Sequence, residues 1–176
     1  MSEQVALVQV RLVGVPLPLR ARSVEHGQDL LRKLALVQIA AGQPDTRSVP
    51  QRLLDVADEL GTTYGSFTAG PTAEMDAALD RGVETMDLTY EVPAHARAFI
   101  HQVVEVLKDA EEFCRAGKYL LTLAAPPDVA AYRSWIFGKF DRQIVGGSPI
   151  SWADARQASN SRCDGHLQDR AGAPDA

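Results

Sequence analysis

The sequence predicts a mostly helical α+β domain, about five helices over a small two- or three-stranded sheet with a disordered C-terminal tail, on three observations. Two segments alternate apolar and polar residues with period two, five carry apolar stripes at helical spacing, and the last 24 residues hold one large aliphatic side chain, Leu167. The domain is expected over 1–150 and the tail over 151–176, with no repeat or composition change inside the first segment to divide it.

The first strand is read over Val5 to Val13, with Ala6, Val8, Val10 and Leu12 on one face and Gln9 and Arg11 on the other, ending near Pro16 and Pro18. A helix is expected from Ser23, a candidate cap, through Leu30, Leu31, Leu34, Val37 and Ala41 to Gly42, with a loop over 43–47. Ser48-Val49-Pro50-Gln51 has the form of a capping box, and Val49, Leu53, Val56, Leu60 and Tyr64 then share one helical face, with Gly61 and Gly65 fraying its end. Gly70-Pro71 reads as punctuation before a short helix through Met75, Ala78 and Leu79 that stops at Gly82.

Met86, Leu88, Tyr90 and Val92 alternate with Asp87, Thr89 and Glu91, which predicts the second strand, closed by Pro93. The longest helix is expected over 94–116, with Ala96, Ile100, Val103, Leu107, Ala110 and Cys114 on one seam, broadened by Phe99, Val106 and Phe113. Tyr119 to Leu123 is a candidate third strand, and Pro126-Pro127-Asp128 opens a last helix through Tyr132, Ile136, Phe140 and Ile144 to Gly146-Gly147.

Composition narrows the function classes. The 176 residues are 45% hydrophobic and 23% charged, as in ordinary globular proteins, with no apolar run near the ~20 residues that span a bilayer and no basic-then-apolar leader, so a cytoplasmic protein is expected. Two cysteines, Cys114 and Cys163, give no disulfide framework. The net charge of −5 is unevenly spread, at +3 over 1–53, −10 over 54–112 and +2 over 113–176. An acidic middle repels phosphate, which argues against nucleic acid and towards a basic protein partner, unless the acids merely solvate helix exteriors.

The common nucleotide-binding, hydrolase and zincin motifs are missing, so no catalytic residue, cofactor or metal is assigned. Cys163 and His166 have the spacing of a metal pair but lie in the tail, where nothing orients ligands. His101 with Glu105 and His26 with Asp29 are spaced as helix-face pairs, with no nucleophile beside them in sequence, while His95 has no such neighbour. Asp58-Glu59-Leu60-Gly61-Thr62-Thr63 lacks the Asn and the D-x-G-x-G of the histidine-kinase-like ATPases it superficially matches.

Two constellations remain. Trp135, Ile136 and Phe137 are consecutive, and three such residues span about 200° of a helix, more than one face holds. Either the helix is buried on two sides, or an aromatic projects outward as an anchor, giving a candidate interaction site of Arg133, Trp135, Phe137, Lys139 and Arg142. Arg20, Arg22 and His26, with Tyr90, form a candidate ligand site, two arginines near a helix start being able to hold a carboxylate or phosphate.

The segments PLRARSVEHGQDLLRKLAL from Pro18, TYGSFTAGP from Thr63, DLTYEVP from Asp87, CRAGKYLLTLAAPP from Cys114 and YRSWIFGKFDRQ from Tyr132 resemble a family of small uncharacterised actinobacterial proteins, over residues 5 to 145. That family is encoded near partner-switching regulators: anti-sigma kinase-like ATP-binding proteins, STAS-domain proteins and PP2C-type phosphatases. The resemblance implies an accessory to such circuits, since the phosphorylatable serine signature and the phosphatase aspartates are missing here. The expected function is a non-enzymatic regulatory or adaptor protein acting by protein contacts. The alternatives are a small-molecule sensor or enzyme with a pocket near Arg20, Arg22, His26 and Tyr90, and a homodimer built on the last helix.

Overall fold

The computed structural model describes residues 6–41, 48–115 and 125–158. Strand β1 (Leu7–Pro16) is followed by helices α1 (Leu17–Ala41), α2 (Val49–Thr63) and α3 (Gly65–Asp80), strand β2 (Thr85–Pro93), and helices α4 (Ala96–Arg115) and α5 (Pro127–Ile144). A further short helix covers 152–158. The two strands form an antiparallel two-stranded sheet, so the architecture is the expected α+β. The candidate strand over 119–123, the loop over 43–47 and the Cys163/His166 pair lie outside the described residues.

In the sheet, Val10 pairs with Tyr90 and Leu12 with Leu88, but the next match is Val15 with Met86, so β1 carries one extra residue. Gly14 supplies it at φ 65°, the left-handed region glycine enters without a Cβ penalty. The bulge changes which face alternate residues occupy. Val10 and Leu12 are buried before it, Val15 and Leu17 after it, so the even-numbered apolar face read from the sequence switches parity part-way. Asp87 fastens the bulge, its Oδ1 accepting from Gly14 N at 2.8 Å and its Oδ2 from Arg11 Nη2 at 3.1 Å. Those bonds hold the Asp87 carboxyl below its usual range, the Gly14 amide contributing most.

Three boundaries differ from expectation, each for a local reason. α1 begins at Leu17, one turn and a half before Ser23, because Pro18 falls within its first turn, where a missing N–H costs nothing. Ser23 is therefore inside the helix and free to bond elsewhere. α3 runs unbroken through Pro71 from Gly65, with buried Met75 and Ala78 and half-buried Phe67 tying both ends to the core, so packing offsets the hydrogen bond Pro71 removes. It stops as expected, Gly82 at φ 79° returning its N–H to Leu79 O at 2.8 Å. Ordered packing also continues past the expected tail boundary: Trp152 and Ala155 pack against the core.

The core falls into two clusters. One joins the inner face of the sheet to α3 and α5 through Val10, Leu12, Met75, Tyr90, Tyr132 and Trp135. The other joins α1, α2 and α4 through Leu34, Leu53, Val56, Phe99, Val103 and Val106. α5 is shared, since Trp135 belongs to the first cluster and Phe137 packs on the second. At its far end, buried Gln143 accepts from Arg11 N and donates to Arg11 O, both at 2.9 Å, so a side-chain amide covers the open edge of β1 as a strand would.

Candidate functional site: a cavity between the two core clusters

Where the clusters face each other they leave a cavity of about 470 Å³, within the ~300–1,000 Å³ typical of small-molecule sites. α1 contributes Arg20, Ser23, Gly27 and Leu30 to its wall, at the three- and four-residue steps that keep side chains on one helical face. α2 contributes Leu53, Val56 and Leu60, and α4 contributes Phe99, Val103 and Leu107. β2 supplies Tyr90 and Val92, and α5 supplies Tyr132, Arg133, Ile136 and Phe140. Leu60 and Val24, each 44% exposed, mark the rim together with exposed Gln28. Leu60, read from the sequence as part of α2's continuous apolar face, is therefore a rim residue.

The cavity is partly open, so water enters at the rim, yet the inner wall of leucine, valine and phenylalanine offers it few partners. An apolar occupant would make contacts there that water cannot.

One end of the cavity is polar. Tyr132, only 3% exposed, buries its hydroxyl without a hydrogen-bond partner among the described residues. Such a group costs about 1–3 kcal/mol when left unsatisfied. Desolvation pushes the Tyr132 phenol well above its ordinary value, with neighbouring Tyr90 pushing the same way and Arg20 opposing. Tyr90 is pushed up to about 12, again by burial and against the pull of Arg20. The three side chains thus share one low-dielectric corner.

Arg20 is 7% exposed and reaches out through Nη1 to the Asp76 carboxylate at 2.5 Å. Arg133 sits one turn along α1, its Nε donating to Ser23 Oγ at 3.3 Å and its Nη2 to Ser23 O and His26 Nδ1, each at 3.1 Å. Because a guanidinium only donates, His26 Nδ1 must be the accepting nitrogen. All three partners of Arg133 are neutral acceptors, and it forms no ion pair among the described residues. Burial accordingly pulls its pKa down, with only the field of Glu111 opposing.

Of the four residues expected to form a ligand site, the structure places Arg20 and Tyr90 on the cavity wall and the other two off it. Arg22 faces the exterior, where its guanidinium holds both oxygens of Asp128, and His26 stands behind Arg133. The helical step explains the split, since Arg22 is 200° round α1 from Arg20. Sequence reasoning missed Tyr132 and Ser23 as wall residues, having read the first as core and the second as a cap.

The outward anchor expected on α5 is corrected. Trp135 is 6% exposed, its ring 5.5 Å from Trp152 and 5.9 Å from Tyr132, and its Nε1 donates to Ile150 O at 3.3 Å. Phe137 turns to the opposite side, so the helix is buried on two faces, the other arrangement the spacing allowed. Lys139 is buried along its stem, and desolvation, then Arg142, pulls its ammonium below the usual range. Only Arg142 of the five expected interface residues is exposed.

The histidine pairs also differ from their spacing. His101 Nε2 lies 2.6 Å from Asp141 Oδ1, which also accepts from Arg97 Nε at 2.7 Å, so α5 provides the carboxylate expected of Glu105. Asp29 is held by Lys33 at 2.6 Å. Among the described residues no helix is long and apolar enough to cross a membrane, and no three potential ligands cluster for a metal. No protein-family model matches the chain, and comparisons with curated proteins and with solved structures find no match.

Proposed function

We propose that this chain is a small-molecule-binding regulatory protein that takes an apolar ligand into the cavity between its two core clusters and reports occupancy to a protein partner. The observation that carries the reading is the cavity of about 470 Å³, walled by six elements, α3 among them through Thr68, Thr72 and Met75, and lined mostly by apolar side chains. Occupancy would join α1, α2 and α4 to the sheet, α3 and α5 through shared contacts, so a ligand that fills the space shifts the balance between looser and tighter arrangements of the two clusters. The acidic residues of 54–112 lie largely on the exterior, on α2, α3, β2 and α4, and supply a surface for a basic partner. The kinase-like, STAS and phosphatase proteins implied by the sequence resemblance are the partners this proposal names.

The test is titration of the purified chain with the neutral fluorophore N-phenylnaphthylamine. Saturable one-to-one binding is expected, and Ala57→Trp, which puts a ring into the cavity from α2, should abolish it while raising the melting temperature. Absence of saturable binding to the parent chain, or equal binding to the filled variant, contradicts the reading.

A further inference from the structure

We infer that the ligand of this cavity is an uncharged, largely apolar carbonyl compound whose oxygen accepts a hydrogen bond from the Tyr90 hydroxyl. This rests on the cavity being a ligand site and adds the chemistry of the ligand's polar contact.

Two buried tyrosines of the wall differ in what their hydroxyls meet. That of Tyr132 is sealed in, whereas that of Tyr90 makes no hydrogen bond among the described residues and is not sealed. Tyr90 is only 5% exposed, stands on the inner face of β2 with its ring edge-on to Phe140 at 5.1 Å, and lines the cavity, so the space its hydroxyl meets is the cavity. An oxygen-free hydrocarbon filling that space would shut water away from the hydroxyl and leave it unpaired. A ligand that fits this wall brings its own partner for Tyr90.

The surroundings select an acceptor as that partner. Burial keeps the Tyr90 phenol protonated, pushed up to about 12, while the Arg20 guanidinium pulls the other way. The group therefore offers a proton at neutral pH and stands in a positive field that favours a partly negative oxygen beside it. Tyr64, also on the wall, feels the opposite field, from Glu59, which steers a carbonyl oxygen to Tyr90 instead.

A full charge on the ligand is disfavoured at either sign. No carboxylate lines the cavity among the described residues, so an ammonium would enter beside two arginines with no counter-charge. A carboxylate would give up its water where Arg20 already holds Asp76 and Arg133 already donates to Ser23 and His26.

The experiment is displacement of N-phenylnaphthylamine from the full chain by three ligands of one shape: 2-acetylnaphthalene, 2-isopropylnaphthalene, which lacks the oxygen, and 2-naphthoate, which is an anion. 2-Acetylnaphthalene is expected to displace the fluorophore one-to-one and at least tenfold more tightly than 2-naphthoate. Tyr90→Phe should weaken 2-acetylnaphthalene about fivefold, as for one neutral hydrogen bond, and should not weaken 2-isopropylnaphthalene. The infrared carbonyl stretch of bound 2-acetylnaphthalene should lie at lower frequency in the parent than in Tyr90→Phe, a difference that lost packing would not produce. Should Tyr90→Phe fail to fold, the same stretch in the parent against that of the ketone in an alkane solvent carries the test. Failure of the ketone to displace bound fluorophore, equal weakening of the ketone and the hydrocarbon by Tyr90→Phe, or an unshifted stretch overturns the carbonyl contact and keeps the cavity as an apolar site. Binding of 2-naphthoate as tight as that of the ketone overturns the uncharged class. Failure of N-phenylnaphthylamine itself to bind overturns the site.

Discussion

The two arginines of the cavity wall are satisfied differently: buried Arg20 holds the Asp76 carboxylate at 2.5 Å, whereas half-buried Arg133 donates to a serine and a histidine. Arg22 holds Asp128, Arg52 holds Asp109 at 2.7 Å and Arg97 holds Asp141 at 2.7 Å, each pair bridging two elements. Half-buried Arg133 donates to Ser23 Oγ, Ser23 O and His26 Nδ1 under the field of Glu111, and its neighbour Tyr132 has no hydrogen-bond partner for its hydroxyl among the described residues. The group this interior leaves unmatched is thus a neutral hydroxyl and not a charge, which keeps the cost of the mismatch to about 1–3 kcal/mol.

The largest expected effect falls on the sheet-side cluster. Trp135→Ala should cost about 3–5 kcal/mol in urea denaturation, because it removes a ring wedged between Tyr132 and Trp152. A loss under about 1 kcal/mol would return Trp135 to the role of a surface anchor.

Next comes the alkaline limb. Tyr90, pushed up to about 12 by burial, stays protonated in the folded chain after the unfolded chain begins to ionise near its ordinary value of 10.0. A raised folded-state pKa gives stability that is fully present below pH ~10 and lost as pH rises towards ~12. Tyr90→Phe should flatten that decline, removing up to about 3 kcal/mol of pH dependence. Denaturation curves of the two chains across this range check it, and parallel slopes would mean that Tyr90 ionises freely in the folded state.

A smaller difference separates two leucines of the same chemistry. Leu12 is fully enclosed beside the sheet, whereas Leu53 already borders the cavity. Leu12→Ala should cost about 1–2 kcal/mol more than Leu53→Ala, since the cost of such truncations grows with the new void and Leu53 packs fully on one side only. Equal losses would indicate that the space beside Leu53 is closed in solution.

The smallest effect belongs to the exterior. Arg97, then His101, hold the Asp141 carboxyl below its usual range. A depressed folded-state pKa gives stability present above the unfolded carboxylate value of ~4 and lost as pH falls through the lower folded value. Asp141 and Arg97 are both more than a third exposed, so Asp141→Asn should cost under about 1 kcal/mol near neutral pH. The parent and variant should converge in acid, and a constant gap down to low pH would mean that the pairing is not electrostatic.

Local pattern gave away most of the secondary structure. The alternation of Met86 to Val92, the Ser48 cap, whose hydroxyl accepts from Gln51 N at 3.4 Å, and the Gly82 stop all act within a few residues, so the sequence displays them. The Gly14 bulge depends on Asp87, 73 residues away, and the unbroken α3 depends on core contacts outweighing Pro71, so neither is visible locally. Arg20 and Tyr90 were legible as polar residues near a helix start and on an apolar strand face. That Arg22 and His26 would diverge from them was knowable only from where α1 begins, since its start at Leu17 and not Ser23 brings Arg20 and Ser23 within one helix facing α5. The cavity itself has no sequence signature, because it is a property of six elements failing to meet.

The most direct test of the claim that the cavity takes an apolar ligand is thermal melting of the parent and of Ala57→Trp, each with and without N-phenylnaphthylamine. The fluorophore should raise the melting temperature of the parent and leave that of the filled variant unchanged. Equal increases in both chains, or no increase in the parent, would contradict the account.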